Sequence, residues 1–189
     1  MPAEFAVHAD PLPYVGALAA RPLDSIDLVV IHCTELPDLA TARRFGERIH
    51  YDQSRTGNSG HYYVDRGGSV HHWVPIDRIA HHTRGYNARS IGIELVNTGR
   101  YPDWLDSRHQ AMDAPYTQSQ IDALIRLLPD LQSTLPALQW IAGHEDLDTT
   151  EVPASNDSSV MVRRKRDPGP LFPWDVVLEA SQLRRLPGG

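Results

Sequence analysis

The sequence predicts an α/β domain, a mixed sheet covered by helices. Short β-branched apolar runs alternate along the chain with stretches of helical periodicity. Two of the apolar runs, "LVVIH" and "WIAGH", end in a histidine, as strands that carry chemistry at the end of a sheet do. The composition, 41% hydrophobic and 22% charged over 189 residues, suits one globular domain with a sizeable core.

Residues 1–24 are interrupted by prolines and are expected to form an irregular arm on the domain. "DLVVIHC", residues 27–33, reads as a buried strand. In "DLATARRFGERIHYD" the residues Leu39, Ala42, Phe45, Gly46 and Ile49 fall at helical spacing behind an Asp38 cap. "GHYYVD" and "SVHHWV" flank Arg66, Gly67 and Gly68, which predicts a hairpin whose glycines supply positive-φ positions. "SIGIELV", residues 90–96, is another strand. "TQSQIDALIRLLPDLQSTL" opens with a Thr117/Gln120 capping box and lines up Ile121, Leu124, Ile125, Leu128 and Leu131, with Pro129 expected to kink or end the helix. "LQWIAGHED" is a strand with a polar tip, and "PWDVVLEASQLRRL" a final helix with Pro173 near its first turn.

The net charge of −6 argues against a general nucleic-acid surface, despite the run Arg163, Arg164, Lys165, Arg166. Cys33 is the only cysteine, so no intrachain disulfide is possible and nothing asks for an oxidising compartment. Glu4 and Asp10 stand where a signal peptide needs cations, and no stretch is long and apolar enough for a membrane span. A cytoplasmic protein is expected, or a periplasmic one if a leader has been removed. No heptad pattern or apolar surface helix argues for assembly, and a monomer is expected.

His32 and His144 stand at matching strand ends. A tetrahedral Zn²⁺ site of the catalytic kind needs a third protein ligand and leaves its fourth place for water. Cys33 is a poor third, because neighbours on a strand point to opposite faces. Asp167 is the better one: a basic run keeps it ionised and Pro168, Gly169 and Pro170 fix its direction. Glu94, an acid amid apolar residues in "IGIEL", would act next to a metal as a general base with a raised pKa. The pairs in "VHHW" and "AHH" do not make a second metal site, since at most one histidine of a strand pair faces a groove.

The ordered motifs "VVIHCT", "SGHYYVDRGGSVHHWVP", "RIAHHTRGYNARSIGIELVN", "AGHEDL" and "RKRDPGPLFPW" resemble the zinc-dependent N-acetylmuramoyl-L-alanine amidases of the type-2 amidase family. That family includes bacterial anhydromuramoyl-peptide amidases and is related to phage amidase lysozymes and peptidoglycan-recognition proteins. The resemblance implies a single amidase domain over residues 1–189, with a sheet of about six strands and a zinc groove at the strand ends. Its ligands fall on His32, His144 and Asp167, its acid on Glu94 and its lysine on Lys165. His82, Asn87 and His61 are implied along the substrate groove. Some relatives carry a catalytic tyrosine where this chain has Gly60, which places it in the glutamate-using branch. The implied reaction is hydrolysis of the amide joining the muramic lactyl group to L-alanine, with peptidoglycan fragments (muropeptides and anhydromuropeptides) as substrates. The alternative is a peptidoglycan-binding module that has lost catalysis. Residues 145–166 form a long polar loop between two ligands, expected to overhang the groove or to be plain solvated surface.

Overall fold

The computed structural model describes residues 6–186. The placement of residues 1–5, including Glu4 and the start of the arm, and of residues 187–189 lies outside that range. The strands are β1 (Val7–Ala9), β2 (Leu28–Cys33), β3 (Tyr62–Val64), β4 (Val70–His72), β5 (Ser90–Leu95), β6 (Trp140–Gly143), β7 (Glu151–Pro153), β8 (Met161–Arg163) and β9 (Arg184–Arg185). The α-helices are α1 (Leu39–Gly46), α2 (Gln118–Thr134), α3 (His144–Leu147) and α4 (Trp174–Ala180). Seven strands form one sheet in the order β1-β4-β3-β5-β2-β6-β9, and β7 pairs with β8 alone. β2 lies parallel between β5 and β6, and only the β3–β4 pair in that sheet is antiparallel.

The alternation of β2 divides the molecule. Val29 and Ile31 face a core with Ile91, Ile93, Leu95 and Ile141, closed by Leu124, Leu128 and Leu131 of α2 and Val177 of α4. The opposite face carries Leu28 and Val30, and its last position is His32. A second apolar cluster, of Leu12, Tyr14, Trp73, Tyr63 and Ala42, fixes the arm and α1. The Asp38 side chain accepts from the Thr41 backbone N–H, and Thr117 and Gln120 make the full capping box expected of α2.

Several expectations are corrected. The arm is not wholly irregular, because Val7–Ala9 adds to β4 as an edge strand and makes the sheet seven-stranded rather than six. In the β3–β4 turn only Gly68 has a positive φ, 86°. α1 stops at Gly46, leaving Ile49 exposed. α2 runs through Pro129 to Thr134. The last helix ends at Ala180, and Arg184 and Arg185 pair with β6 instead. Residues 145–166 contain all but the first residue of α3 and the β7–β8 hairpin.

Candidate metal centre and groove

Parallel pairing brings the chemistry together. His32 on β2 and Glu94 on β5 are direct register partners, and Tyr63 on β3 partners Glu94 in turn. All three side chains therefore stand on one face near the carboxyl ends of parallel strands, where open α/β sheets bind ligands. β6 ends at Gly143, and His144 is the next residue. Asp167 arrives from the far side of the hairpin, and its main-chain carbonyl accepts from the Glu145 N–H.

His32 Nδ1 lies 2.8 Å and His144 Nδ1 3.1 Å from Asp167 Oδ2. All three residues are buried, and their potential ligand atoms lie within 4.8 Å of one another. Ligand atoms around tetrahedral zinc at bond lengths of about 2.0–2.1 Å are themselves about 3.3 Å apart, close to this spacing. Burial pushes the Asp167 carboxyl up, but His144 and His32 together outweigh it and hold it well below the usual range. Burial likewise lowers His32 to about 4, so its ring is neutral and its lone pair free near neutral pH. Asp167 Oδ1 and His144 Nε2 are buried with no protein partner. Two buried imidazoles around a buried carboxylate with an orphaned oxygen fit a divalent cation of borderline softness.

The other nitrogen of His32 is also engaged. Nε2 lies 2.9 Å from His82 Nδ1, and His82 Nε2 lies 3.2 Å from Ser90 Oγ, which donates to the Tyr86 carbonyl. If Nδ1 of His32 binds a metal, Nε2 keeps the proton and donates it to His82, and each further donor in the chain has an acceptor. Asn87 supports this arrangement, since its Oδ1 accepts from the N–H groups of His82 and Thr83.

Glu94 Oε1 lies 4.0 Å from His32 Nδ1. Burial and the neighbouring Asp167 raise its carboxyl to about 8, against the opposing pull of Lys165. Gly60 makes room for it: a Cβ there would stand 2.8 Å from Glu94 Cγ. His32, His144, Asp167 and Glu94 line one open groove of about 710 Å³ together with Lys165, Arg84, Tyr51, Phe45 and Trp104.

Glu94, Lys165, His82 and Asn87 all reach this groove with the three proposed ligands. His61 does not line it: the ring is fully buried, Nδ1 accepts from the Gly92 N–H, and Nε2 is 3.1 Å from the Arg78 carbonyl. Both His81 and His82 line the groove, because they sit in a loop where strand alternation does not apply. Of residues 145–166 only Arg164 and Lys165 line it, and the hairpin rests instead on the 105–107 segment through Ser155 and Asn156. Arg163 and Arg164 are half-buried rather than solvated, tied to the Glu145 carbonyl and to Asp148. Glu35, Arg100 and Thr83 are site neighbours that the sequence did not single out.

Fold and site define an α/β domain with a buried cluster of two histidines and one carboxylate at the strand ends. The sequence profile described as N-acetylmuramoyl-L-alanine amidase matches residues 22–170, and the chain belongs to that family. Over 136 residues it is 35% identical to N-acetylmuramoyl-L-alanine amidase AmiD of Escherichia coli K12, covering 64% of this chain and 44% of that protein. It is 31% identical to 1,6-anhydro-N-acetylmuramyl-L-alanine amidase AmpD of Enterobacter cloacae over 120 residues, covering 59% of this chain and 50% of that one. The matched region thus spans about half the length of these two relatives. Among solved structures, E. coli AmiD in complex with the substrate anhydro-N-acetylmuramic acid-L-Ala-D-γ-Glu-L-Lys superposes with a TM-score of 0.62 at 27% identity, covering 86% of this chain and 59% of that one. The amidase LysC of Clostridium intestinale shares the fold, with a TM-score of 0.67 at 18% identity over 95% and 99% of the two chains.

Proposed function

We propose that the chain is a zinc-dependent N-acetylmuramoyl-L-alanine amidase acting on muropeptides, in particular on their 1,6-anhydro forms. It would hydrolyse the amide between the muramic lactyl group and L-alanine. The observation that carries this reading is the convergence of His32, His144 and Asp167 beside the protonatable Glu94. Membership of the amidase family and the anhydromuramoyl ligand bound by E. coli AmiD support the substrate class.

His32, His144 and Asp167 would hold the ion, which when bound supplies Lewis acidity toward the amide carbonyl and toward water. Glu94 stands 4.0 Å from the proposed ligand atom of His32, where its carboxylate is placed to take and return a proton. It takes the proton of the attacking water and delivers it to the departing L-alanine nitrogen. Lys165 lines the same groove and offers a cation to the negative charge that develops on the carbonyl oxygen. His82, held by Asn87, fixes the ring of His32. Asn87 and His82 thus act from behind the metal as well as along the groove wall.

We place this chemistry in the cytoplasm, on recycled fragments, with the chain acting as a monomer over one amidase domain. Among the described residues no helix is long and apolar enough to cross a membrane.

The test is metal analysis followed by digestion of anhydromuramoyl-tripeptide and of whole sacculi, each with and without chelator. Chelator-sensitive release of peptide, restored by Zn²⁺, is expected, with the soluble fragment turned over faster. Full activity after complete zinc removal would overturn the metal reading. Binding without any turnover would mark a recognition module instead.

A further inference from the structure

Beside the groove lies an ion pair that the proposed chemistry does not use. Glu35 follows His32 by three residues and takes a left-handed backbone conformation, φ 49°, unusual for a side chain with a Cβ. Its carboxylate receives Arg100 in a bidentate fork, from Nε to Oε1 at 2.7 Å and from Nη2 to Oε2 at 2.8 Å. The Arg100 backbone N–H also donates to Oε1, and the Glu35 carbonyl accepts from Trp104 Nε1. Both residues are buried, Arg100 being 3% and Glu35 7% exposed.

The remaining guanidinium donors reach across to the other side of the site. Nη1 donates to the Arg163 carbonyl at 2.9 Å and to Gln110 Oε1 at 3.2 Å, and Nη2 to the Arg164 carbonyl at 3.3 Å. All five N–H groups of the guanidinium are therefore engaged. The two carbonyls belong to Arg163 and Arg164, the pair of residues that precedes Lys165 and lies three and four positions before Asp167. One rigid planar group thus ties the chain just past His32 to the chain that delivers the carboxylate and the lysine.

We propose that Glu35 and Arg100 form a positioning strut that sets the spacing between the His32 end of β2 and the 163–167 segment, and through it the affinity of the metal centre. The inference rests on the metal reading of His32, His144 and Asp167. Neither residue of the strut contacts the ion or the scissile bond. A lysine at position 100 cannot replace the arginine, because a single ammonium has three donors and no fixed fork. A glutamine at position 35 conserves volume but turns an amide NH₂ toward the guanidinium.

The experiment measures Zn²⁺ affinity of the full chain by competition with a chromogenic chelator. It is run well below the unfolding midpoint, with thermal unfolding and steady-state kinetics on anhydromuramoyl-tripeptide alongside. The variants are Glu35→Gln and Arg100→Lys, and Asp27→Asn serves as control. Asp27 pairs with Arg89 at the opposite end of β2 and tests the loss of an ion pair that touches neither the proposed ligands nor the 163–167 segment. The strut predicts that both variants weaken Zn²⁺ binding by about ten-fold or more and lower kcat more than they raise KM. The control should lose thermal stability while keeping its Zn²⁺ affinity. Folded strut variants that bind Zn²⁺ within about twofold of the parent would overturn the inference, leaving the pair as a stability element. If Arg100→Lys does not fold, Glu35→Gln decides alone. A parent chain that binds no Zn²⁺ in the same assay refutes the metal reading itself, a different outcome from either.

Discussion

At Glu94 the backbone belongs to a regular parallel ladder, while the side chain is a carboxyl held among buried groups. Glu94→Gln is expected to retain zinc and lose at least about a hundred-fold in turnover, the range for a general acid–base group. Metal content together with the rate of muropeptide cleavage measures both halves. The same substitution has a pH signature in the metal-free protein. The carboxyl titrates near 8 when folded against an ordinary 4.5, so between those values the folded chain keeps a proton that the unfolded chain has lost. Stability conferred by this group is complete below about 4.5, falls as pH rises toward 8 and is flat beyond. Glu94→Gln should remove that slope and stabilise the metal-free protein at pH 8 by about 1–3 kcal/mol, read by urea unfolding across pH. Gly60→Ala acts on the same carboxyl from outside: its Cβ needs the space of Glu94 Cγ, so turnover should fall while zinc content stays. His32, His144 and Glu94 were legible because each sits at or beside a strand end, where the apolar pattern itself fixes position and face. The Glu35–Arg100 pair was not, because its partners are 65 residues apart and no periodicity links them.

The apolar pattern located the five inner strands, β2 to β6, together with α1, α2 and α4, and where it erred, tertiary contacts outweighed local preference. Pro129 removes a hydrogen bond from α2, but Leu127, Leu128 and Leu131 are buried and hold the helix to the sheet on both sides of it. Since Pro129 itself is exposed, Pro129→Ala should restore that bond and stabilise the chain by about 1–3 kcal/mol, visible as a higher urea midpoint at unchanged slope. The end of α4 was misread for a related reason. Residues 181–186 have helical composition, yet β6 offers a free edge to which Arg184 and Arg185 add. Arg185 also stacks on Trp174 and pairs with Asp146, contacts that a continuing helix would forgo. β1 is short and exposed, and nothing in its three residues distinguishes a strand from an arm until β4 is in place beside it.

Taken whole, the molecule places its proposed ligands at the meeting of distant chain segments, His32 and Asp167 being 135 positions apart. Zinc should therefore bind the folded state alone, and at about a hundred times its dissociation constant it should add about 2.7 kcal/mol of stability. Thermal unfolding with added Zn²⁺, and again with excess chelator, measures that increment and its reversal. The wide separation also bears on how the protein is made. His32, Glu94 and His144 leave the ribosome before Asp167, so a nascent chain has an incomplete set of proposed ligands until the residues just ahead of α4 emerge. On the metal reading the centre cannot close before Asp167 has been made, and a chain interrupted earlier lacks one of its three proposed ligands.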